Sequence, residues 1–387
     1  MKARAAAGET LATMLAVALS VGSALLLDPE PGTAVLGGML ALTLSRSQLE
    51  RDWRGRLEAA VALPLIGVVA ALVGFLLLEA PVAGAAAYTL ALAASVFVRR
   101  FGAAWRRTGG LLAIPFTALL VAPPTIVTSG PLASAGWLVP ILVPLVAFVW
   151  VTLVQLGARA VGLPMSVTER GSEATETTGS NASPAADSSR SARSATVAGR
   201  RDKHGWLPSD KMALQLAIAL AVAFLVGLLL FARWEWLVLT VVVVLFGNRG
   251  RNDALVKGIG RFAGAAVGAL VGFLVLGLST SPGFAWQPQP WWLAVTVVAL
   301  ALGIFGRRFA YIVWAFGFTV ALTLLQWIAE GAAPVGPALI PAPVQRLAEI
   351  LVGSAISVAV AWFVLPVARR RPLPRTRAEW LRAFRAD

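Results

Sequence analysis

The sequence predicts an all-α polytopic membrane protein of about twelve transmembrane helices, built as two parallel six-helix repeats. Three observations support this prediction. Of 387 residues, 58% are hydrophobic and only 13% are charged, whereas a soluble globular chain carries about 25% charged residues. Nearly all basic residues fall in alternate loops between the apolar segments, and short motifs recur in the same order in both halves of the chain.

Six apolar segments of the first half are predicted to be helices, because long uncharged runs bounded by Pro, Gly or charge are typical of membrane spans. They cover residues 11–27, 32–44, 57–78, 81–98, 109–121 and 137–156. Lys2 and Arg4 before the first run resemble the start of a signal peptide, but no small-residue cleavage motif follows. We therefore expect an uncleaved first helix.

The second half repeats this layout. Its predicted helices cover residues 212–231, 234–246, 258–278, 291–305, 311–328 and 347–367. In both halves the second segment falls well below the roughly 20 residues that span a bilayer, and paired short segments at matching positions indicate a transport site. Thr240 and Asn248 are the polar residues near the second of these segments.

The basic residues predict the orientation of the chain. If the helices alternate in direction, 31 of the 33 Lys and Arg residues lie on one side, and only Arg233 and Arg346 lie opposite. Cytoplasmic loops of membrane proteins are enriched in Lys and Arg. Both termini are therefore predicted to be cytoplasmic, in a multi-pass protein of a bacterial plasma (inner) membrane. The net charge of +14 follows from topology, so the expected partner is the lipid bilayer and not nucleic acid.

Four regions follow from these patterns. Residues 1–165 form the first six-helix repeat, and residues 166–208, rich in Ser, Thr and charge, form a disordered polar cytoplasmic linker. Residues 209–367 form the second repeat. Residues 368–387 form a basic cytoplasmic tail suited to anionic lipid headgroups. A homo-oligomer is compatible with this layout.

The two halves share short motifs. The hexapeptide ALVGFL occurs at residues 71–76 and again at 269–274, in the third helix of each half. Arg-Arg-Phe follows the fourth helix of each half, at residues 99–101 and 307–309, and Phe-Thr marks each fifth helix. Because six helices return the chain to the side where it started, the repeats are predicted to be parallel, related by an axis along the membrane normal.

Glycines mark one face of the third helix of the second half. Gly264, Gly268 and Gly272 recur every four residues, a spacing that lets two helices approach closely, and Gly353 on the last helix is assigned the same packing role. Arg261 lies just before these glycines. It either anchors the helix by extending to the lipid headgroups or faces a solute pathway.

Arg346 and Glu349 lie on one face of the last helix, three residues apart and near the end where other basic residues are missing. Ion pairs buried in a membrane are rare and often functional. The alternative is an exposed pair at the interface that fixes the depth of the helix.

The sequence offers no catalytic chemistry. It has no cysteine and one histidine, His204, which lies in the polar linker. There is also no phosphate-binding loop, no pair of carboxylates at catalytic spacing and no nucleophile next to a base. We therefore predict a protein that is not an enzyme and that holds neither a metal ion nor a cofactor.

Three segments carry a resemblance to a known family. They are KGIGRFAGAAVG at residues 257–268, FGFT at 316–319, and RLAEILVG at 346–353 in a helix that ends at Pro366. The second half resembles the FUSC family of fusaric acid resistance type and aromatic acid exporter type membrane transporters. The first half shares the helix layout, but of the glycine ladder it has only Gly67 and Gly74.

The resemblance implies a secondary exporter of small organic or aromatic acids. Arg261 and Arg346 would provide positive charge for an anionic substrate, and Glu349 would be a protonatable partner. Thr240, Asn248 and Thr319 would be further polar groups of the pathway. Two alternatives remain: an organic anion channel, in which the same arginines form a selectivity ring, or a membrane scaffold that transports nothing.

Overall fold

The computed structural model of the chain describes residues 2–48, 53–120, 138–163, 206–231, 234–246, 250–280, 291–307, 309–329, 342–365 and 379. These residues form helices and short connections, with no β-strand among them. The predicted linker and basic tail lie almost wholly outside the described residues.

Twelve α-helices occupy the described residues, and each overlaps one predicted segment. The first half contains α1 (Lys2–Leu27), α2 (Pro31–Gln48), α3 (Trp53–Glu79), α4 (Pro81–Phe97), α5 (Ala103–Leu119) and α6 (Val139–Ala160). The second half contains α7 (Pro208–Leu230), α8 (Glu235–Leu245), α9 (Arg251–Thr280), α10 (Trp291–Gly306), α11 (Tyr311–Ala329) and α12 (Ala342–Phe363). A 3₁₀ turn, Val98–Phe101, follows α4.

Seven of these helices are long and apolar enough to cross a membrane: α1, α3, α4, α6, α7, α9 and α12. The other five, α2, α5, α8, α10 and α11, are apolar over shorter stretches. The all-α, multi-pass character predicted from the sequence is confirmed.

Several helices differ in length from their predicted segments. Helix α1 begins nine residues before the predicted segment, and α9 begins seven residues before. Polar residues at a helix end interrupt an apolar run but not the backbone hydrogen bonds. The length of the apolar run therefore underestimates the length of such a helix. Polar residues likewise extend α2 to 18 residues, so it is longer than its predicted segment. Helix α8 has only 11 residues and is short, as predicted.

The helices alternate in direction. Gln155, near the end of α6, contacts Arg56 at the start of α3 and Ser45 near the end of α2. In the second half, Gln215 near the start of α7 donates to the carbonyl of Val364, just after α12. Odd-numbered helices thus begin, and even-numbered helices end, at one end of the bundle. We call it the linker end, because α6 ends and α7 begins there, and we call the opposite end the far end.

Most helix contacts of the first half have counterparts in the second, although the α2–α5 contact has none of comparable extent between α8 and α11 among the described residues. Helix α6 packs on α1, α2 and α3, and α12 packs on α7, α8 and α9. Helix α3 packs on α4 and α5, and α9 packs on α10 and α11. Between the halves, α4 packs on α7 and α1 packs on α10. At the α4–α7 seam, the buried ring of Tyr88 meets the ring of Phe224 edge-on, with centroids 5.6 Å apart.

Candidate functional site

The most extensive helix contact among the described residues of the second half is between α9 and α11. A Cβ atom added to Gly264 would lie 2.5 Å from the carbonyl oxygen of Ile312, and one added to Gly268 would lie 2.6 Å from that of Phe316. At Gly272 the nearest atom, 2.9 Å away, belongs to the side chain of Thr323. The missing side chains let the two backbones approach closely.

The face of α11 that meets these glycines is polar. Thr319, Thr323 and Gln326 are all buried, and their spacing of four and three residues places them on one side of the helix. The hydroxyl of Thr319 has no hydrogen-bond partner. The side-chain oxygen of Gln326 accepts a hydrogen bond of 2.8 Å from the indole nitrogen of Trp236. The sequence analysis selected Thr319 and missed Thr323 and Gln326, although their spacing places all three residues on one face of a helix.

Arg261 lies beside this polar face on the linker side of the glycines. Its side chain is 0% exposed, and its guanidinium carbon stands 5.7 Å from the ring centroid of Phe318. None of its three side-chain nitrogens has a hydrogen-bond partner. The side chain is therefore enclosed by protein and does not extend to the lipid headgroups.

Arg346 lies at the far end, where α8, α9, α11 and α12 meet. One of its guanidinium nitrogens donates to the hydroxyl of Thr323 over 3.3 Å. The guanidinium carbon stands 4.7 Å from the ring centroid of Trp236 and 5.7 Å from that of Phe273. Aromatic faces stabilise a cation that has left water, so this pocket of rings suits the arginine.

Glu349 lies one turn further along α12 and is 2% exposed. A carboxylate oxygen accepts a hydrogen bond of 3.0 Å from the amide of Gln345. One further turn along, Gly353 packs on α8, where an added Cβ would lie 2.8 Å from the carbonyl oxygen of Leu237. Thr240 lies at the same contact, fully buried and with its hydroxyl unpartnered. The predicted site residue Asn248 lies outside the described residues.

The two arginines bracket the polar face of α11. Twelve residues separate Arg261 from Phe273, the α9 residue next to Arg346, so the two sites are about 18 Å apart along the helix. Hydroxyl groups of Thr319 and Thr323 lie between them. Cations and hydroxyls in this order can attract and bind an anionic group. No group of His, Cys, Asp and Glu in the described part of the chain could hold a metal ion.

Two ion pairs join the halves at the linker end. Arg307, just after α10, pairs with the buried carboxylate of Glu9 on α1. Arg100, just after α4, approaches Asp210 at the start of α7, with 3.4 Å between nitrogen and oxygen. In each case the Arg-Arg-Phe motif after the fourth helix of one half meets an acidic residue near the start of the other half.

Residues 216–360 match the family model described as fusaric acid resistance protein-like. These residues, which lie in the second half of the chain, are similar to that family. Arg261, Arg346 and Glu349 all lie inside the fusaric acid resistance protein-like match, as do the glycines of α9. The resemblance predicted from the sequence is thereby confirmed for residues 216–360, and the apolar helices together with this match support a multi-pass membrane protein. No curated protein and no solved structure matches the chain.

Proposed function

We propose that the chain is a secondary exporter of small organic acids, aromatic acids included. The observation that carries this proposal is the state of Arg261. Its guanidinium group is fully buried, and among the described residues no atom accepts a hydrogen bond from it.

A buried and uncompensated charge is costly. The effective penalty for taking an ion out of water is several kcal/mol, and the lipid core offers no acceptor in place of water. A carboxylate can accept two parallel hydrogen bonds from one guanidinium group. A passing organic acid would therefore provide what Arg261 lacks, and Arg346 offers a second cation at the far end.

We infer that the halves act as parallel repeats around an axis along the membrane normal. The shared motifs and the matching helix contacts of α1–α6 and α7–α12 support this arrangement. Among the described residues, the ion pairs that cross between the halves, Arg307–Glu9 and Arg100–Asp210, lie at the linker end. Contacts that can close one end favour alternating access over an open channel.

We place the linker end in the cytoplasm of a bacterial cell, because 31 of the 33 basic residues lie on that side. The chain has no cysteine, so a single Ser188→Cys variant can report on the linker. The thiol should react with an impermeant reagent only after the cells are opened. Labelling in intact cells would show that the orientation is reversed.

The transport test uses purified protein in liposomes and two solutes of the same shape, benzoate and benzamide. We expect the wild-type protein to carry benzoate with saturation and to carry benzamide poorly. Arg261→Met keeps much of the side-chain volume and removes the charge. This variant should transport benzoate at least about tenfold more slowly, because one charge-assisted hydrogen bond to the substrate is lost.

Lys257→Met is the matched control. Lys257 lies one turn before Arg261 on α9 and pairs with Asp253 over 3.6 Å, so its loss should leave the benzoate rate unchanged. Equal rates in the wild type and Arg261→Met would remove Arg261 from the pathway. Unitary currents in a planar bilayer would identify a channel, and no solute flux across a broader acid panel would identify a scaffold.

A further inference from the structure

A second buried arginine lies in the first half, at the linker end of α3. Arg56 is 4% exposed, and one of its terminal nitrogens donates to the side-chain oxygen of Gln155 over 3.3 Å. The other terminal nitrogen has no hydrogen-bond partner among the described residues. Arg56 and Arg261 thus lie on the third helix of their respective halves, and both have unused donors.

Gln155 fixes the geometry around Arg56. Its amide nitrogen donates to the carbonyl oxygen of Ser45 over 2.8 Å, so both ends of this amide are engaged. The hydroxyl of Ser45 is buried and has no partner. Two unused donors, one charged and one neutral, are therefore arranged around a single fixed amide where α2, α3 and α6 meet.

A positive charge lies near Arg56. Arg159 lies one turn beyond Gln155 on α6, close enough to Arg56 for the two charges to repel. Trp53, three residues before Arg56, is 66% exposed, as expected of an aromatic residue at headgroup depth. The commonest oxyanion at that depth is phosphate, whose oxygens are strong acceptors for arginine.

We propose that Arg56, Ser45 and Gln155 form a binding site for a phosphate group in the first half of the chain. The phosphate belongs either to an anionic lipid headgroup or to a small soluble phosphate. This site is separate from the Arg261 region and does not depend on the transported substrate. Gln155 acts as a positioning residue, and Arg56 and Ser45 donate to the phosphate oxygens.

The test measures thermal unfolding of the full chain. One arm adds sodium phosphate to protein in a neutral detergent at constant ionic strength, with sodium chloride and sodium acetate as comparison salts. The second arm compares phosphatidylcholine nanodiscs with and without phosphatidylglycerol. A ligand that binds the folded state raises its melting temperature, so stabilisation in the first arm indicates a soluble phosphate and stabilisation in the second arm alone indicates a headgroup.

Variants assign the effect to the site. Arg56→Gln should raise the half-saturating phosphate concentration, or the required phosphatidylglycerol fraction, by at least about tenfold, because one charge-assisted hydrogen bond is lost. Ser45→Ala should raise it about threefold, as for a neutral hydrogen bond. Ser45→Ala also tests the site if Arg56→Gln does not fold.

Arg251→Gln is the matched control. Arg251 begins α9, the counterpart of α3, and its guanidinium group lies over the ring of Trp362 at the same end of the bundle. This variant should respond to phosphate as the wild type does. Equal phosphate and phosphatidylglycerol responses in the wild type, Arg56→Gln and Ser45→Ala would overturn the proposal. So would a stronger response to acetate than to phosphate, or an equal loss in Arg251→Gln. The unfolding test does not involve benzoate transport, so its outcome is independent of the exporter proposal.

Discussion

Buried polar side chains of this bundle differ in whether the chain provides them with partners. Thr33 donates to Asp28, and Gln326 accepts from Trp236. Arg261, Thr240 and Thr319 are as deeply buried and have no hydrogen-bond partner. Because lipid cannot replace a missing partner, these three residues of the family-matched half are the ones that we propose as contacts for a polar solute.

Glu349 is the carboxylate on the buried face of α12, one turn from Arg346. Glu349→Gln preserves its shape and an oxygen acceptor for Gln345 but removes the titrating group. If Glu349 exchanges a proton during export, the pH dependence of benzoate transport should flatten in this variant. Stability should change by less than about 1.5 kcal/mol, the scale of one hydrogen bond.

The measurement compares initial transport rates in liposomes across a series of pH values. Glu58→Gln is the control, because Glu58 is an exposed glutamate on α3. Its pH profile should match that of the wild type. A wild-type profile in Glu349→Gln would exclude Glu349 from proton coupling.

At the scale of helices, α9 organises the second half. It packs on α8, α10, α11 and α12, and its glycines bring the polar face of α11 against it. The same glycine face leads from Arg261 towards Phe273 next to Arg346. One interface therefore sets both the stability of this half and the alignment of its two cations.

Gly268→Leu should disrupt this interface. The new side chain would begin 2.6 Å from the carbonyl oxygen of Phe316 and 3.0 Å from the Cβ atom of Thr319, so α11 must move away. Overpacking of this kind costs about 1–3 kcal/mol or more, and thermal unfolding in detergent should show the loss. Gly277→Leu, on the same helix with no atom within 4 Å, should change stability by less than about 0.5 kcal/mol. Equal stability of the two variants would contradict the packing role.

At the scale of the molecule, the halves meet mainly through α4 on α7 and α1 on α10, with a smaller contact between α2 and α11. An apolar cavity of about 410 Å³ opens along the α1–α10 contact, lined by Met14, Leu302 and Phe305 among others. The Arg307–Glu9 pair joins these two helices at the linker end. The α1–α10 seam is thus held by charge at the linker end and contains an apolar cavity between its helices.

Locking this seam should stop transport. In the cysteine-free chain, Glu9→Cys with Arg307→Cys joined by a short bifunctional thiol reagent should abolish benzoate flux, and a cleavable reagent should restore it on reduction. Ser23→Cys with Trp150→Cys is the control, because these residues hydrogen-bond over 2.8 Å within the first half. Crosslinking that pair should spare transport. Full flux through the crosslinked Glu9–Arg307 variant would exclude movement at this seam.

The sequence by itself determined the helical membrane class, the approximate positions of the helices among the described residues, and the family resemblance of residues 216–360. The length of an apolar run and the placement of Lys and Arg on one side are local properties. Each segment must by itself be long enough to span the lipid core, and the charges beside it set its direction of insertion. The sequence also allowed Gly264, Arg261 and Glu349 to be selected as candidate residues, because spacing along one helix determines which residues share a face. Helix ends were less predictable, since polar residues extended α1 and α9 beyond their apolar runs.

Only the tertiary structure decided which side chains have partners. Arg56 and Arg261 look alike in sequence as basic residues near the start of a third helix, yet Arg56 donates a hydrogen bond to Gln155 and the Arg261 side chain makes no hydrogen bond to the described residues. Arg346 lies on the rings of Trp236 and Phe273, residues 110 and 73 positions away in the chain. Burial and pairing depend on helices brought together from distant positions. A single helix specifies which residues share a face, and only the assembled bundle specifies what each face meets.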